Sequence, residues 1–394
     1  MILTNDMYEG LSTLERWYHK LKHQIIDIAG VIGTGSWQLI QLFLDRNNLE
    51  PIEVMYLSYD QKQVLELASK RYHAFYISNI IYNYTRHVDF NSLPVLNSQS
   101  DGVIQYQWKK DVRKKINKNY KIMIVFDSVL LSEETLRDLA SFGLPIILLR
   151  DPILLPSPDT YTFFREPNIT LRELHPELSR NPIVHFANMV LNGTKLKYGN
   201  YDIVSVIPRK QMNLYNLKSA DMVLTMSDRL RDNINSTYRE KILKQKTTKN
   251  IVGEKVVVMN NMYGHRLVNS DEKNIKIYLT RGMIGYLTKC NSHAVHTKYV
   301  PIEFRPEFYH EVFDNLVMDR HYLNKFTSPS KQIIPDEIIE LEYAYALTVP
   351  LARLSHWDKV TIVVDIDEEQ DPGLQTRLLY SAIASARKSV TIIL

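Results

Sequence analysis

The sequence predicts an α/β protein with two parallel-sheet domains, the second of which carries a small β-rich insertion. Apolar, strand-like runs alternate with helix-patterned segments along most of the chain, which is typical of a mostly parallel sheet covered on both faces. A glycine-rich turn lies between the first strand-like run and a helix-patterned segment. With 394 residues, the chain also exceeds the roughly 250 to 300 residues at which a single hydrophobic core stops growing.

The first domain is predicted over residues 1–160, with a short insertion at about residues 85–120. Its strands are predicted at residues 25–28, 52–57, 122–126 and 145–149. Its helices are predicted at residues 8–23, after the glycine-rich turn, at residues 61–71 and from Ser132 onward. Glu133 and Glu134 suit the positive N-terminal end of the last of these helices.

The second domain is predicted over residues 161–250 and 336–394, and the insertion over residues 251–335. Short β-rich runs separated by Asn, Asp and Gly predict that the insertion is a small barrel. In the second domain, strands are predicted at residues 221–225, 361–364 and 390–394 and a helix at residues 374–387, so that strands and helices alternate again.

The composition is that of an ordinary globular protein, with 45% hydrophobic and 23% charged residues. A single cysteine, Cys290, excludes a disulfide framework and indicates a reducing compartment, so we expect a cytoplasmic protein. No apolar run reaches the roughly 18 to 20 residues of a membrane span, and no membrane partner is expected. His293 and His296 lie near Cys290 without a second pair of ligands, so no metal site is expected.

Basic and aromatic residues are concentrated in one segment of a chain whose net charge is +4. Stacking aromatics beside cations suit the bases and phosphates of a nucleic acid. A solvated helix face fits the same pattern, and both interpretations stay open. The segment contains Trp108, Lys109, Lys110, Arg113, Lys114, Lys115, Lys118 and Lys121.

The glycine-rich turn has part of the chemistry of a phosphate-binding loop. Gly30, Gly33 and Gly35 could let backbone N–H groups point at a phosphate, and Thr34 lies between the last two. Such a loop also needs a lysine for the terminal phosphates and a hydroxyl for magnesium. Ser36 stands at the lysine position and Trp37 at the hydroxyl position. A generic glycine-rich turn therefore remains the other interpretation.

Further segments, taken in order, resemble the motifs of superfamily-1 DNA helicases related to RecD and the phage helicase Dda, over essentially the whole chain. The resemblance implies two RecA-like domains, the second with an SH3-like insertion, and ATP-dependent 5′-to-3′ unwinding of DNA with ATP and Mg²⁺ as cofactors. The segments are residues 3–11 (LTNDMYEGL), 122–132 (IMIVFDSVLLS), 150–156 (RDPILLP), 171–177 (LRELHPE), 345–358 (YALTVPLARLSHWD) and 379–387 (LYSAIASAR).

At most positions that would contact nucleotide in this family, the residue type has changed. Phe126 replaces one of two expected acids, which leaves Asp127 as the remnant of the metal-binding and general-base pair. Asp151 of the coupling motif is kept. The other replacements are Met7 for an adenine-reading glutamine, Leu154 for a γ-phosphate-sensing glutamine, Pro176 for a phosphate-contacting arginine and Ser385 for the arginine finger.

These replacements favour a catalytically silent, phage-like helicase homologue that binds DNA or a partner, with no cofactor expected. The first alternative is a working ATP-dependent helicase in which Arg353 or Arg387 supplies a lost cation and ATP and Mg²⁺ are bound. The second is a protein-interaction module that has also lost DNA.

DNA binding does not require ATP, so single-stranded DNA and replication or recombination proteins are expected as partners. The resemblance places Ser58 and Lys62 near the strand phosphates and Ser78 with Tyr82 in the next contact segment. The 24 tyrosines of the chain also fit half-buried packing, which leaves that interpretation open. The complete set of predicted DNA contacts is Ser58, Lys62, Ser78, Tyr82, Trp108, Lys109 and Thr348.

Overall fold

The computed structural model divides the chain into two compact units. Unit 1 contains Met1–Ile81, Arg113–Arg231 and Leu347–Leu394, and unit 2 contains Tyr82–Val112 and Asp232–Ala346. The structure describes residues 3–20, 24–89, 103–110, 116–154, 166–245, 251–268, 276–290, 299–307, 309–319, 338–353, 355–365 and 371–394.

The helices and strands are numbered here in chain order. The helices are α1 (Asn5–Lys20), α2 (Ser36–Arg46), α3 (Gln61–Ser69), α4 (Ile77–Ile81), α5 (Glu133–Ala140), α6 (Pro182–Leu191), α7 (Leu214–Lys218), α8 (Asp228–Thr237) and α9 (Pro372–Ala384). The strands are β1 (Ile25–Gly30), β2 (Val54–Ser58), β3 (Ala74–Tyr76), β4 (Tyr82–Asp89), β5 (Val103–Lys110), β6 (Ile122–Val125), β7 (Ile146–Arg150), β8 (Ile169–Leu171), β9 (Gly199–Tyr201), β10 (Val204–Ile207), β11 (Met222–Thr225), β12 (Lys255–Val258), β13 (Met262–Val268), β14 (Lys276–Leu279), β15 (Ile284–Cys290), β16 (Tyr299–Pro306), β17 (Phe313–Asp319), β18 (Ile338–Ile339), β19 (Leu341–Tyr343), β20 (Ala346–Thr348), β21 (Trp357–Val363) and β22 (Ala386–Ile393).

The first sheet of unit 1 has the strand order β3-β2-β6-β7-β1-β8, and all its neighbouring strands are parallel. Strands β2, β6 and β7 are buried along their whole length, as expected for a parallel sheet covered on both faces. The strand–turn–helix predicted around the glycines is confirmed, because β1 ends at Gly30 and α2 begins at Ser36. The helix predicted from Ser132 is confirmed as well, since the Ser132 side chain caps α5.

The second sheet of unit 1 has the strand order β20-β11-β21-β22-β10-β9. Three of its pairs are parallel: β11 with β21, β21 with β22, and β22 with β10. Strand β9 pairs with β10 in the antiparallel direction. The predicted α/β fold class is therefore confirmed, with one parallel sheet and a second sheet that is mostly parallel. Strand β8 belongs to the first sheet, although it lies beyond residue 160, where the sequence predicts the domain boundary.

Unit 2 is β-rich, as predicted for residues 251–335. Its six-stranded sheet has the order β18-β17-β16-β15-β12-β19, and its pairs are antiparallel except for β17 with β18. Two hairpins, β13–β14 and β4–β5, complete its described strands. The SH3-like closure of this insertion stays a prediction. In the described part of the chain, no helix is both long and apolar enough to cross a bilayer.

The basic and aromatic segment enters the structure as a strand. Trp108, Lys109 and Lys110 lie on β5, which corrects the alternative of a solvated helix face for these three residues. Residues 113–115 lie outside the described residues. The strand is favoured locally because residues 103–108 are rich in β-branched and aromatic side chains.

A buried ion pair lies within unit 2. The Arg239 Nε and Nη2 atoms are each 2.9 Å from Glu254 Oε1, and the Arg239 guanidinium carbon lies 4.0 Å from the centre of the Tyr343 ring. The Tyr345 hydroxyl donates to the other oxygen of Glu254 at 2.7 Å. Both charges are thus removed from water and matched by close partners, which makes the loss of either one costly.

We predict that Glu254→Gln destabilises the protein by about 3 to 5 kcal/mol, because the Arg239 charge would stay buried without its counterion. Urea denaturation monitored by circular dichroism measures this cost. Glu303→Gln is the matched control, since its partner Lys289 is 71% exposed and the pair lies 3.0 Å apart at the surface of the same sheet. The control should cost less than about 1 kcal/mol. Equal losses in the two variants would contradict the structural role of the buried pair.

Candidate functional site

The turn between β1 and α2 favours glycine at three positions, for two different reasons. Gly33 and Gly35 have φ angles of 90° and 84°, in the left-handed region that glycine adopts without strain. A Cβ atom on Gly33 would lie 2.3 Å from Val184 Cγ1. A Cβ atom on Gly30 would lie 2.4 Å from Thr34 Oγ1. The local sequence is therefore set by space as well as by backbone conformation.

Several polar groups of the turn are hydrogen-bonded to the protein itself. The fully buried Thr34 hydroxyl donates to Val31 O at 2.8 Å. The Ile32 N–H donates to the Tyr380 hydroxyl at 2.7 Å, and Gly33 O accepts from the His175 N–H at 2.8 Å. A phosphate-binding turn has to keep its N–H groups available for the ligand, and the Ile32 amide is already engaged.

Trp37 and Phe126, which stand where the resemblance implies magnesium ligands, belong to one aromatic cluster. The Trp37 ring centroid lies 5.5 Å from that of Phe126 and 6.1 Å from those of Tyr56 and Tyr72. Trp37 stands at the expected hydroxyl position of the phosphate-binding turn, and Phe126 stands at one of the expected acid positions. The two residues are thus packing partners, and neither side chain offers an oxygen ligand to a metal ion.

Asp127 lies two residues after the end of β6 and has a φ of 49°. Its side chain lines a cavity beside the glycine turn. Burial, joined by the negative charges of Asp60 and Asp151, raises the pKa of Asp127 to about 7. The positive charge of Arg353 opposes this shift. A carboxyl group with such a pKa is about half protonated near pH 7 when no cation is bound.

Asp151 lies at the end of β7 and connects the two sheets of unit 1. It accepts hydrogen bonds from the Tyr380 hydroxyl and, at 2.9 Å, from the Ile153 N–H. Burial raises the pKa of Asp151, and these hydrogen bonds oppose the shift. Leu154, where a γ-phosphate-sensing glutamine is expected, contributes its carbonyl oxygen to Arg377 at 2.9 Å.

The remaining predicted nucleotide-binding residues are packed into the structure. Met7 is fully buried, and its sulfur would lie 3.3 Å from a Cβ atom on Gly35. Pro176 follows the buried His175. The buried Ser385 ends α9, and its hydroxyl donates to Ala382 O at 2.7 Å. None of these three predicted residues offers a cation or an amide to a nucleotide.

The cavity beside the turn has a volume of about 400 Å³ and lies within unit 1. Ser36, Trp37, Asp127 and Asp151 line it from the first sheet. From the second sheet it is lined by Leu224, Val349, Ala352, Arg353, Ser355, His356, Ser381, Ala384 and Ser385. Arg353 is the only Arg or Lys side chain among the described lining residues. One such cation therefore faces this space, whereas neutralising the phosphates of a nucleoside triphosphate takes several.

The two predicted substitute cations have different surroundings. Arg353 faces the cavity, whereas Arg387 forms an ion pair with Glu66 at 2.6 Å and does not line the cavity. Sequence reasoning missed Arg377 and the role of Tyr380. The pattern offered no signal for Arg377, because its partners are backbone carbonyls.

The residues present do not fit a magnesium nucleotide. Ser36 stands at the expected lysine position, and Trp37 and Phe126, at two of the expected ligand positions, carry no oxygen and pack against each other. Within the described residues, no group of three or more His, Cys, Asp and Glu side chains is arranged to hold a metal ion. No catalytic step through ATP follows from this arrangement.

The predicted DNA contacts lie on separate elements. Ser58 is completely buried at the end of β2, and its hydroxyl accepts from the Asp60 N–H at 2.9 Å, so its contact with DNA stays a prediction. Ser78 lies on α4 and is half-buried. Thr348 is buried, and its carbonyl oxygen accepts two N–H groups of the following turn. The side chains of Lys62, Tyr82, Trp108 and Lys109 lie outside the described part of the structure, although their backbone lies on α3, β4 and β5.

No protein-family model and no curated protein matches the sequence. Among solved structures, the chain is similar to the Pif1 helicase from Bacteroides in complex with ADP-AlF3 and ssDNA, with a TM-score of 0.46 and 14% identity over 100% of this chain and 92% of that chain. It is also similar to the Pif1 helicase from Candida albicans, with a TM-score of 0.39 and 12% identity over 100% and 95% of the two chains. For the PRRSV helicase the TM-score is 0.37 and the identity 9%, over 97% of this chain and 54% of that chain. The function proposed below rests on the side chains of the site and not on these similarities.

The raised pKa of Asp127 makes stability depend on pH. Between about pH 4 and pH 7 the folded protein keeps a proton that the unfolded chain has released, so raising the pH through this window lowers the free energy of unfolding. We predict that Asp127→Asn removes this loss, so that its melting temperature rises relative to the wild type by several °C at pH 8 and by much less at pH 5.

Thermal unfolding at pH 5, 6, 7 and 8 measures this difference. Asp202→Asn is the matched control because Asp202 is exposed and has a similar left-handed backbone, with a φ of 60° against 49° at Asp127. The control should shift the melting temperature equally at each pH. A pH-independent difference for Asp127→Asn would show that Asp127 titrates normally.

Proposed function

We propose that this chain is a helicase-fold protein of the RecD and Dda kind that no longer hydrolyses ATP and acts by binding single-stranded nucleic acid. The observation that carries the loss of hydrolysis is the contact between Trp37 and Phe126, whose ring centroids are 5.5 Å apart. One side chain replaces a metal-binding hydroxyl and the other replaces a metal-binding acid. Their packing converts a polar, hydrated site into an apolar one.

The surrounding charges support the same proposal. Phosphoryl transfer depends on cations that neutralise the charge developing on the phosphates, and an arginine finger alone contributes about a thousandfold or more in rate. Ser36 and Ser385 stand where a lysine and that arginine are expected, and both are neutral. A phage-like role in replication or recombination remains part of the proposal and follows from the resemblance of the motifs.

An active ATP-dependent helicase is the second candidate, and Arg353 is the observation that favours it. Its charge acts on Asp127, so one cation and one acid still face the same cavity. A single cation placed differently rarely restores the in-line geometry of phosphoryl transfer, which depends on sub-ångström positioning.

We predict that the wild-type protein releases no phosphate from Mg-ATP above background, with or without single-stranded DNA. A coupled phosphate-release assay measures this directly. Asp127→Ala is the matched control, because it removes the remaining acid of the site and should give the same background rate as the wild type. DNA-stimulated release by the wild type that is lost in Asp127→Ala would establish the active helicase instead.

The hairpin β4–β5 is the surface proposed to contact nucleic acid. In its register, Tyr84 pairs with Trp108, Arg86 with Tyr106 and Tyr82 with Lys110. Paired positions lie on the same face of a two-stranded sheet, and every second residue along a strand returns to that face. One face therefore collects four aromatic and two basic positions.

The opposite face of this hairpin has a different composition. Asn83 pairs with Lys109, Thr85 with Gln107, His87 with Gln105 and Asp89 with Val103, so that this face is mostly polar and contains no Tyr or Trp. Aromatic platforms flanked by cations bind single strands by stacking the bases and attracting the phosphates. The confinement of the Tyr and Trp positions to one face supports a nucleic-acid surface there, whereas Lys109, another predicted contact, belongs to the opposite face.

We predict that the protein binds a fluorescent single-stranded oligonucleotide with an affinity that falls steeply as salt is added, because phosphate contacts release counterions. Trp108→Ala should weaken binding roughly 5- to 150-fold, corresponding to about 1 to 3 kcal/mol for one stacked base. Fluorescence anisotropy at several salt concentrations measures both effects.

Gln107→Ala is the control for this variant, since Gln107 is the preceding residue and belongs to the opposite face of the hairpin. It should leave the affinity unchanged. Equal affinities for the two variants would exclude the aromatic face as the binding surface. Absence of binding even at low salt would favour the protein-interaction module.

A further inference from the structure

Two side chains of α9 connect the second sheet of unit 1 directly to the first. Arg377 donates from Nε to Ile153 O and from Nη2 to Leu154 O, both at 2.9 Å. These carbonyls belong to the segment that follows β7 of the first sheet. The planar guanidinium thus makes a two-pronged contact with consecutive carbonyls, which fixes its orientation as well as its distance.

Tyr380 makes the second connection, one helical turn further along α9. Its hydroxyl accepts from the Ile32 N–H of the glycine turn at 2.7 Å and donates to the carboxylate of Asp151. The Tyr380 side chain is fully buried. The hydroxyl therefore joins an amide and a carboxylate of the first sheet, away from competing water, and such shielded hydrogen bonds are costly to break.

The surroundings of these two residues favour a fixed arrangement. Helix α9 packs along α6, and Val184 of α6 touches the glycine turn at Gly33. A third connection, the ion pair between Arg387 and Glu66, is exposed and contributes little by itself. The buried contacts of Arg377 and Tyr380 therefore carry most of the connection.

In proteins whose two lobes close around a ligand, the ligand supplies contacts that hold the lobes together. In this protein, Arg377 and Tyr380 supply contacts between the two sheets at and beside the glycine turn. We infer that Arg377 and Tyr380 form a nucleotide-independent clamp that holds the two sheets of unit 1 in one arrangement. The inference rests on the proposed loss of ATP hydrolysis, because an ATP-driven motor needs lobes that open and close in each cycle.

Hydrogen exchange of the Ile32 amide tests the tyrosine half of the clamp. Tyr380→Phe keeps the ring and removes the hydroxyl, so the Ile32 amide should exchange about 5- to 10-fold faster, as expected for the loss of one hydrogen bond. The Val206 amide in the core of β10 should be unchanged. Tyr215→Phe is the control, since Tyr215 is 75% exposed on α7. Unchanged exchange of Ile32 in Tyr380→Phe would overturn this half of the proposal.

A distance measurement between the sheets tests the clamp as a whole. Spin labels on Glu134→Cys and Ser219→Cys, both exposed, report the separation of α5 from α7 in a Cys290→Ser background. The expected result is one narrow distance distribution that Mg-ATP leaves unchanged, and a broader one in Arg377→Gln. Two distances in the labelled protein that retains Arg377, or a shift of its distance distribution on adding Mg-ATP, would overturn the clamp.

The two proposals fail in distinguishable ways. Phosphate release by the wild type refutes the loss of hydrolysis. Two distances in the labelled protein without phosphate release refute the clamp alone. If Arg377→Gln does not fold, the distribution measured with Arg377 in place still decides between one arrangement and two.

Discussion

The close approach of Gly33 to Val184 is the constraint on which the rest of the site depends. A Cβ atom at Gly33 would lie 2.3 Å from the valine methyl carbon, so α6 can pack against the turn only if this residue is glycine. Helix α6 in turn packs along α9. The glycine thus allows α9 to approach the first sheet, which brings the Tyr380 hydroxyl within 2.7 Å of the Ile32 amide. A turn whose glycines are typical of phosphate binding here serves packing between two sheets.

Much of this fold could be predicted from the sequence because its signals are local. The apolar run of β1, the glycines after it and the helix from Ser36 follow from periodicity and backbone preference within about 20 residues. The placement of β8 beside β1 could not be predicted in this way, because three residues carry too little pattern to show which sheet they join. The burial of Ser58 could not be predicted either. A serine at the end of a strand can be exposed or can be covered by the following turn, and the sequence alone does not distinguish the two.

The site was partly predictable for a different reason. The sequence indicates which residue types stand at Trp37 and Phe126, but these residues are 89 positions apart and only the fold shows that their rings meet. A single aromatic replacement would leave polar groups facing an indole or a benzyl ring. Two together form an apolar contact that also includes Tyr56 and Tyr72, so each replacement removes the cost of the other. Contacts such as that of Arg377 leave no trace in the sequence, because carbonyl acceptors are present at every residue.

Asp127 is a buried acid whose charge state depends on whether a cation lies beside it. In a magnesium site, the metal charge would hold such a carboxyl group in its ionised form. Without a metal, burial and the charges of Asp60 and Asp151 favour the protonated form, and Arg353 compensates only in part. Replacing Phe126 by a second acid would add another negative charge to the same space and raise this cost further. The aromatic residue at that position is therefore compatible with a stable fold, whereas a pair of acids there would require a bound cation to offset their charge.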